Sequence, residues 1–213
     1  TAFPSYAQHV PTLEEGVNGG LIVTKGESRV NWLSEGNSYS KKEKNPAGGY
    51  DIVSYTAGKN KREVLIPASM FVKPGTSDTL SVRSFSFDTS HKQVLVYTNT
   101  RRVWRYDTRG DYWVLNMETG KLRQLGVLLP ESSLMFAKFS PDGTRVAYVS
   151  GNNIYVEYVS DGKVVQLTHD GSSTIVNGTF DWVYEEEFSC RDGFRWSPDG
   201  KYIAYWQSDT EGT

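Results

Sequence analysis

The feature that most constrains this chain is a turn motif that occurs twice with the same flanks. Phe139-Ser140-Pro141-Asp142-Gly143 leads into Thr144-Arg145-Val146-Ala147-Tyr148-Val149. Trp196-Ser197-Pro198-Asp199-Gly200 leads into Lys201-Tyr202-Ile203-Ala204-Tyr205-Trp206. Each copy predicts a strand ending in an aromatic, a tight turn, and a second strand that alternates apolar with polar residues. Proline presets φ at the first turn position, and glycine supplies the positive φ that closes it. A weaker copy, Phe85-Ser86-Phe87-Asp88, runs into Gln93-Val94-Leu95-Val96-Tyr97, and a fainter one is Trp32-Leu33-Ser34-Glu35. The anchoring aromatics Trp32, Phe85, Phe139 and Trp196 are thus 53, 54 and 57 residues apart.

A second hairpin recurs later in each unit. Its members are Tyr50-Asp51-Ile52-Val53-Ser54-Tyr55, Tyr112-Trp113-Val114-Leu115-Asn116 before Glu118-Thr119-Gly120-Lys121, and Ile154-Tyr155-Val156-Glu157-Tyr158 before Asp161-Gly162-Lys163. Four short strands per unit of about fifty residues is the signature of β-propeller blades. A β-sandwich is the competing arrangement, but it gives no reason for turn motifs at a fixed period. The expected fold is therefore all-β: an incomplete β-propeller of four-stranded antiparallel blades over residues 21–213, about three blades plus the start of a fourth. Residues 1–20 are expected to be a lead-in segment, broken by Pro4 and Pro11, with room for one helical turn at Thr12-Leu13-Glu14-Glu15. Propellers usually close with four to eight blades, and an open set leaves a strand edge uncovered. The 213 residues are accordingly expected to be a fragment of a longer protein.

Composition narrows the function classes. Hydrophobic residues make up 38%, with 13 Tyr, 9 Phe and 6 Trp, enough for a core and against disorder. A formal net charge of −2 argues against a nucleic-acid partner, because phosphate binding needs a basic surface. Lys41, Lys42 and Lys44 read as a solvated loop. The single Cys190 excludes an internal disulfide framework. As a lone cysteine without a neighbouring histidine it reads as a small buried apolar group. No apolar run approaches the ~18 residues of a transmembrane helix. No signal peptide is visible and Thr1 is not an initiator, so a processed or trimmed N-terminus is expected. No cofactor or metal is expected; the acidic run described next lacks the spaced oxygen ligands of a calcium loop.

Amid these strands stands Thr179-Phe180-Asp181-Trp182-Val183-Tyr184-Glu185-Glu186-Glu187-Phe188. Asp181 is a good N-cap, so a short helix is expected near 181–188, inserted between blade strands. Two carboxylates aimed at one spot about 4 Å apart repel by about 1 kcal/mol in water and about 4 kcal/mol at a surface-like dielectric. A cation between them relieves this, and an ammonium group has three donors with which to bridge both. The run reads as an amine-binding clamp, or alternatively as a solvated acidic turn paired with Arg191 and Arg195.

Asp181-Trp182-Val183-Tyr184-Glu185-Glu186-Glu187, followed by Trp196-Ser197-Pro198 and Ala204-Tyr205, resembles the N-terminal propeller of the dipeptidyl peptidase IV family, in the prolyl oligopeptidase superfamily. The likeness runs from about residue 80 to the end. It implies that Glu186 and Glu187 bind the free α-amine of a peptide substrate, with Glu185, Asp181, Trp182 and Tyr184 in support. It also implies that Arg105, in Arg101-Arg102-Val103-Trp104-Arg105-Tyr106-Asp107, binds the carbonyl oxygen of the substrate's second residue; a guanidinium suits this by its rigid fork of donors. Many members carry His-Ser after that arginine, where this chain has Tyr106-Asp107. A loop arginine paired with Asp107 or Asp111 is the alternative.

The same resemblance implies release of N-terminal Xaa-Pro or Xaa-Ala dipeptides by a serine supplied from an α/β-hydrolase domain. No Gly-x-Ser-x-Gly elbow occurs here, and His9, His91 and His169 read as surface residues. No catalytic residue is therefore expected in this chain, which alone should be inactive. Expected partners are a peptide with a free N-terminus, the hydrolase domain, and a second copy in a homodimer. A periplasmic, secreted or membrane-anchored extracellular setting follows from the family alone. A prolyl tripeptidyl peptidase and a non-catalytic peptide-binding propeller are the competing readings. Asn177-Gly178-Thr179 fits a glycosylation acceptor.

Overall fold

Period-two burial organises the structure, a computed structural model that describes residues 12–14, 30–33, 36–59 and 61–212. The chain falls into two units, Thr1–Val30 and Asn31–Thr213. Of the first, Leu13 and Glu14 have helical backbone, and most of the expected lead-in lies outside the described residues. So does the Ser34-Glu35 turn.

Among its described residues the second unit contains three four-stranded antiparallel sheets, each in simple sequential order. The first is β1 (Asn31–Trp32), β2 (Ser38–Lys44), β3 (Tyr50–Thr56) and β4 (Arg62–Ile66). The second is β5 (Ser84–Phe87), β6 (Gln93–Arg102), β7 (Asp107–Asn116) and β8 (Leu122–Gln124). The third is β9 (Met135–Phe139), β10 (Arg145–Ser150), β11 (Asn153–Tyr158) and β12 (Val164–Gln166). Beyond it, β13 (Ile175–Asn177) pairs with β16 (Gln207–Asp209), and β14 (Phe194–Trp196) pairs with β15 (Ile203–Tyr205). Each anchoring aromatic falls in the opening strand of its set. The strand expected over 201–206 is interrupted at Trp206, whose amide turns aside to donate to the Gly193 carbonyl at 2.9 Å.

Side chains alternate across each strand, so a sheet with neighbours on both sides must be apolar on both. In β6, Val94 and Val96 pack toward the first sheet with Trp113 and Leu115 of β7, whereas Leu95, Tyr112 and Val114 meet Val146 and Tyr148 of β10. The other face of β10, Ala147 and Val149, packs with Ile154 and Phe194. Three cores thus lie between successive sheets. At about 25 cal/mol per Å² of apolar surface removed from water, burial of this kind is the main force joining one sheet to the next.

Polar latches repeat alongside. Gln93, the first residue of β6, donates to the Gly143 carbonyl at 2.9 Å, and Arg145, the first residue of β10, donates to the Gly200 carbonyl at 2.8 Å. Each latch ties a second strand to the turn of the following set. The turns themselves are organised by aspartate: Asp142 Oδ1 accepts from the Thr144 amide at 3.1 Å, and Asp199 Oδ1 accepts from the Lys201 amide at 3.1 Å. Gly143 and Gly200 adopt φ of 70° and 68°. In the weaker copy the equivalent position is His91, with φ of 55°, packed 5.2 Å from the Phe87 ring.

The Asn177 sequon is overturned by burial. Asn177 is fully buried; its amide donates to Asn152 O at 3.1 Å and Asp170 Oδ1 at 2.9 Å, and accepts from Gln207 Nε2 at 2.8 Å. A side chain used this way inside the fold is not available as a glycan acceptor.

Candidate functional site

Two excursions from the sheets meet at the acidic run. The first is the outer half of the β6–β7 hairpin. Regular pairing holds through Thr98 and Asp111 and then shifts register before Arg101. Asn99, at φ 46°, takes up the extra residue, and its amide donates to Asp111 Oδ2 at 2.7 Å and Glu131 Oε1 at 2.8 Å. Gly110 exchanges two 3.0 Å backbone hydrogen bonds with Leu134. A β-bulge bends its strand, and here it leads the hairpin from the second sheet across the edge of the third. The tip closes where the Val103 amide donates to the Tyr106 carbonyl at 3.0 Å. Arg105 lies on that turn. Asp107, at the base, pairs with Arg83 at 3.2 Å.

The second excursion is residues 179–192, carrying the helix α1 (Trp182–Phe188). Asp181 caps it, accepting from the Tyr184 amide at 3.0 Å. Ser189, in the left-handed region at φ 54°, ends it. Phe180, Tyr184 and Phe188, four residues apart, share one face with ring centroids 5.4 and 5.7 Å apart. Cys190 follows the C-cap and is only partly buried, because it lies at the rim of the insertion and not in a core.

The neck of this insertion is tight. Thr179 and Asp192 form an antiparallel bridge, and Thr179 Oγ1 donates to the Arg191 carbonyl at 3.0 Å. The Gly193 amide donates to Gly178 O at 3.1 Å. A Cβ at Gly193 would stand 2.9 Å from the Gly178 carbonyl carbon and 3.0 Å from the Thr179 nitrogen, so only glycine lets the two backbones approach. Lys138 of β9 pairs with Asp192 and donates to Phe194 O at 3.0 Å. Burial pushes the Lys138 ammonium down to about 8, with Asp192 opposing the fall.

Successive helix residues point about 100° apart, so three neighbouring glutamates cannot share a face. Glu185, one turn beyond Asp181, turns inward, is 5% exposed, and lines a cavity of about 200 Å³ with Val103, Trp104 and Phe180. The Glu186 side chain is 6% exposed, and its Oε2 lies 2.7 Å from Arg105 Nε. Glu187 is exposed, as are Trp182 and Tyr184. The structure therefore brings Arg105 to Glu186, encloses Glu185 beside it, and leaves Glu187 on the open side. Neither Asp107 nor Asp111 pairs with Arg105 among the described residues. Arg195 pairs with Asp192 at 3.0 Å.

The electrostatics are unbalanced. Oε1 of Glu185 and Oε1 of Glu186 are both shut from solvent and lack a hydrogen-bond partner among the described residues. Burial pushes the Glu185 carboxyl above its usual range; Arg191 pulls it back and the Glu186 charge adds to the rise. Arg191 also lies over the Tyr106 ring, 3.9 Å from its centroid. That contact, the neck, and the enclosure of Glu185 were not among the expected features. The four-residue step from Asp181 to Glu185 is the one signal in the sequence for the last of these. Of the histidines, His91 is half-buried in its turn and His169 is exposed; His9 lies outside the described residues.

The family described as the dipeptidyl peptidase IV (DPP IV) N-terminal region matches residues 88–213. A probable dipeptidyl-aminopeptidase B of Phaeosphaeria nodorum is 33% identical over 191 residues, 89% of this chain and 20% of the relative. Dipeptidyl aminopeptidase B of Saccharomyces cerevisiae is 31% identical over 189 residues, 84% of this chain and 22% of the relative. The crystal structure of Porphyromonas gingivalis dipeptidyl peptidase 4 superposes with a TM-score of 0.76 at 24% identity, covering 95% of this chain and 28% of that one. The all-β fold of antiparallel four-stranded sheets is thus similar to that protein's N-terminal propeller. The chain spans about a fifth of the length of these two curated relatives. With well over half of its residues matched by the N-terminal-region family, the chain belongs to the dipeptidyl peptidase IV family.

Proposed function

We propose that this chain is the substrate-recognition part of a dipeptidyl peptidase IV-like serine exopeptidase that releases N-terminal Xaa-Pro or Xaa-Ala dipeptides. In this reading Glu186 and Glu187 hold the α-ammonium group of the peptide, and Arg105 holds the carbonyl oxygen of its second residue. The observation that supports it best is the 2.7 Å pairing of Arg105 with Glu186, two residues far apart in sequence and carried by separate excursions from the sheets.

The chemistry is economical. Arg105 engages one oxygen of Glu186, and the other is shut from solvent and has no hydrogen-bond partner among the described residues. An ammonium group, with three donors, would take the Glu186 oxygen that Arg105 now holds together with the exposed Glu187. Arg105 keeps a 72% exposed side chain, so its planar fork still has donors for a carbonyl oxygen. With amine and carbonyl both held, the bond after the second residue lies a fixed distance from the clamp. A serine from the family's α/β-hydrolase domain would act there, and positioning of this kind is a large part of catalysis.

The test is Glu186→Ala in the whole protein, with a Gly-Pro chromogenic substrate. Loss of a charge-assisted contact typically costs about 1.5–3 kcal/mol, so kcat/KM should fall by about 10- to 100-fold. Dipeptide release at the unaltered rate would contradict the clamp. Product length from a short peptide distinguishes dipeptidyl from tripeptidyl release.

A further inference from the structure

Two contacts of charged side chains join the hairpin tip to the helical insertion among the described residues, and they run in opposite directions. Arg105, on the hairpin, reaches Glu186 on α1 at 2.7 Å. Arg191, just after α1, reaches back over the ring of Tyr106 at 3.9 Å. Arg191 is itself held at the neck, where its carbonyl accepts from Thr179 Oγ1 at 3.0 Å, and its charge acts on the enclosed Glu185. Tyr106 is 46% exposed, so its ring belongs to no core, and among the described residues Arg191 is the cation placed over it.

We infer that Tyr106 and Arg191 form a latch that positions Arg105 for the peptide carbonyl; this rests on the amine-clamp reading above. An incoming ammonium group competes with Arg105 for Glu186. A tip tied down only through Glu186 would loosen as the substrate arrives. A guanidinium over an aromatic face is a directional contact that does not involve Glu186. It keeps the turn from Val103 to Tyr106 against the insertion while Glu186 changes partner. Both residues are positioning residues.

In the whole protein, Tyr106→Ala should raise KM for a Gly-Pro chromogenic substrate about three- to tenfold, the range expected for loss of one such contact, with kcat changed less than twofold. Tyr106→Phe, which keeps the ring, should restore the original KM. Arg191→Ala should match Tyr106→Ala, and the double variant should be no worse than either alone. Amide hydrogen exchange over residues 101–109, without substrate, should quicken in both alanine variants and not in Tyr106→Phe. Unchanged exchange in Tyr106→Ala, or effects that add in the double variant, would overturn the latch. The exchange measurement decides the latch even where Glu186→Ala leaves KM unaltered, the result that sinks the clamp alone.

Discussion

The Ser-Pro-Asp-Gly turns and the 179–192 insertion are both organised by an aspartate that accepts from backbone amides, yet they depend on different distances along the chain. In the turns, Asp142 and Asp199 find their amide partners two residues away. Asp181 does the same for the start of α1 with the Tyr184 amide. The contacts that tie the insertion to the rest of the fold are remote: Lys138 pins its neck, Arg105 reaches its helix, and Tyr106 takes its arginine. The sheets repeat because each solves the same local problem. The insertion occurs once because its partners come from two different sheets.

Breaking the neck should give the largest effect on stability and should be confined to the insertion. Gly193→Ala forces a methyl group against the Gly178 and Thr179 backbone, and such overpacking typically costs about 1–3 kcal/mol. Amide exchange at Gly178, position 193 and Trp206 should rise together, while amides in β6 and β10 keep their protection. Equal loss in the sheets would mean that insertion and frame unfold as one unit.

A milder change separates charge from shape. The Glu185 carboxyl lies above its ordinary value near 4.5, chiefly through burial. Between that ordinary value and the raised one, the folded state holds a proton that the unfolded state has released, so stability falls as pH climbs through the window. Glu185→Gln removes the loss. The variant should be more stable than the unaltered protein at pH 7, by on the order of 1 kcal/mol, and the gap should close toward pH 4. Denaturant midpoints at the two pH values measure it.

The smallest change concerns the turns. His91 occupies the left-handed position that Gly143 and Gly200 fill in the other copies. Relief of that strain by His91→Gly is partly offset by a freer unfolded chain and by loss of the Phe87 contact. A gain below about 1 kcal/mol is expected, read as a slightly higher denaturant midpoint.

These differences also explain what could be read in advance. The period of the aromatics located the opening strand of four of the five described sheets, not of the β13–β16 pair, and the Pro-Asp-Gly motif located the turns, because strand alternation and turn chemistry act over a few residues. The cap at Asp181 and the helix near 181–188 were legible for the same reason. The pairing of Arg105 with Glu186 was not: it depends on the bulge at Asn99 and the bridge from Gly110 to Leu134, which together aim the hairpin over the third sheet. The inward turn of Glu185 follows from helical rotation, but only once the inner face of the helix is known. The Asn177 sequon misled because a three-residue motif carries no information about burial.

If the acidic run recognises a free amine, as proposed, the protein must discriminate against a blocked one. The measurement is kcat/KM of the whole protein for a Gly-Pro chromogenic substrate and for its N-acetylated form, before and after Glu186→Gln with Glu187→Gln. Two charge-assisted contacts of about 1.5–3 kcal/mol each correspond to a preference of at least about 100-fold for the free amine, and the double variant should reduce it to within about tenfold. An undiminished preference in the double variant would contradict the account.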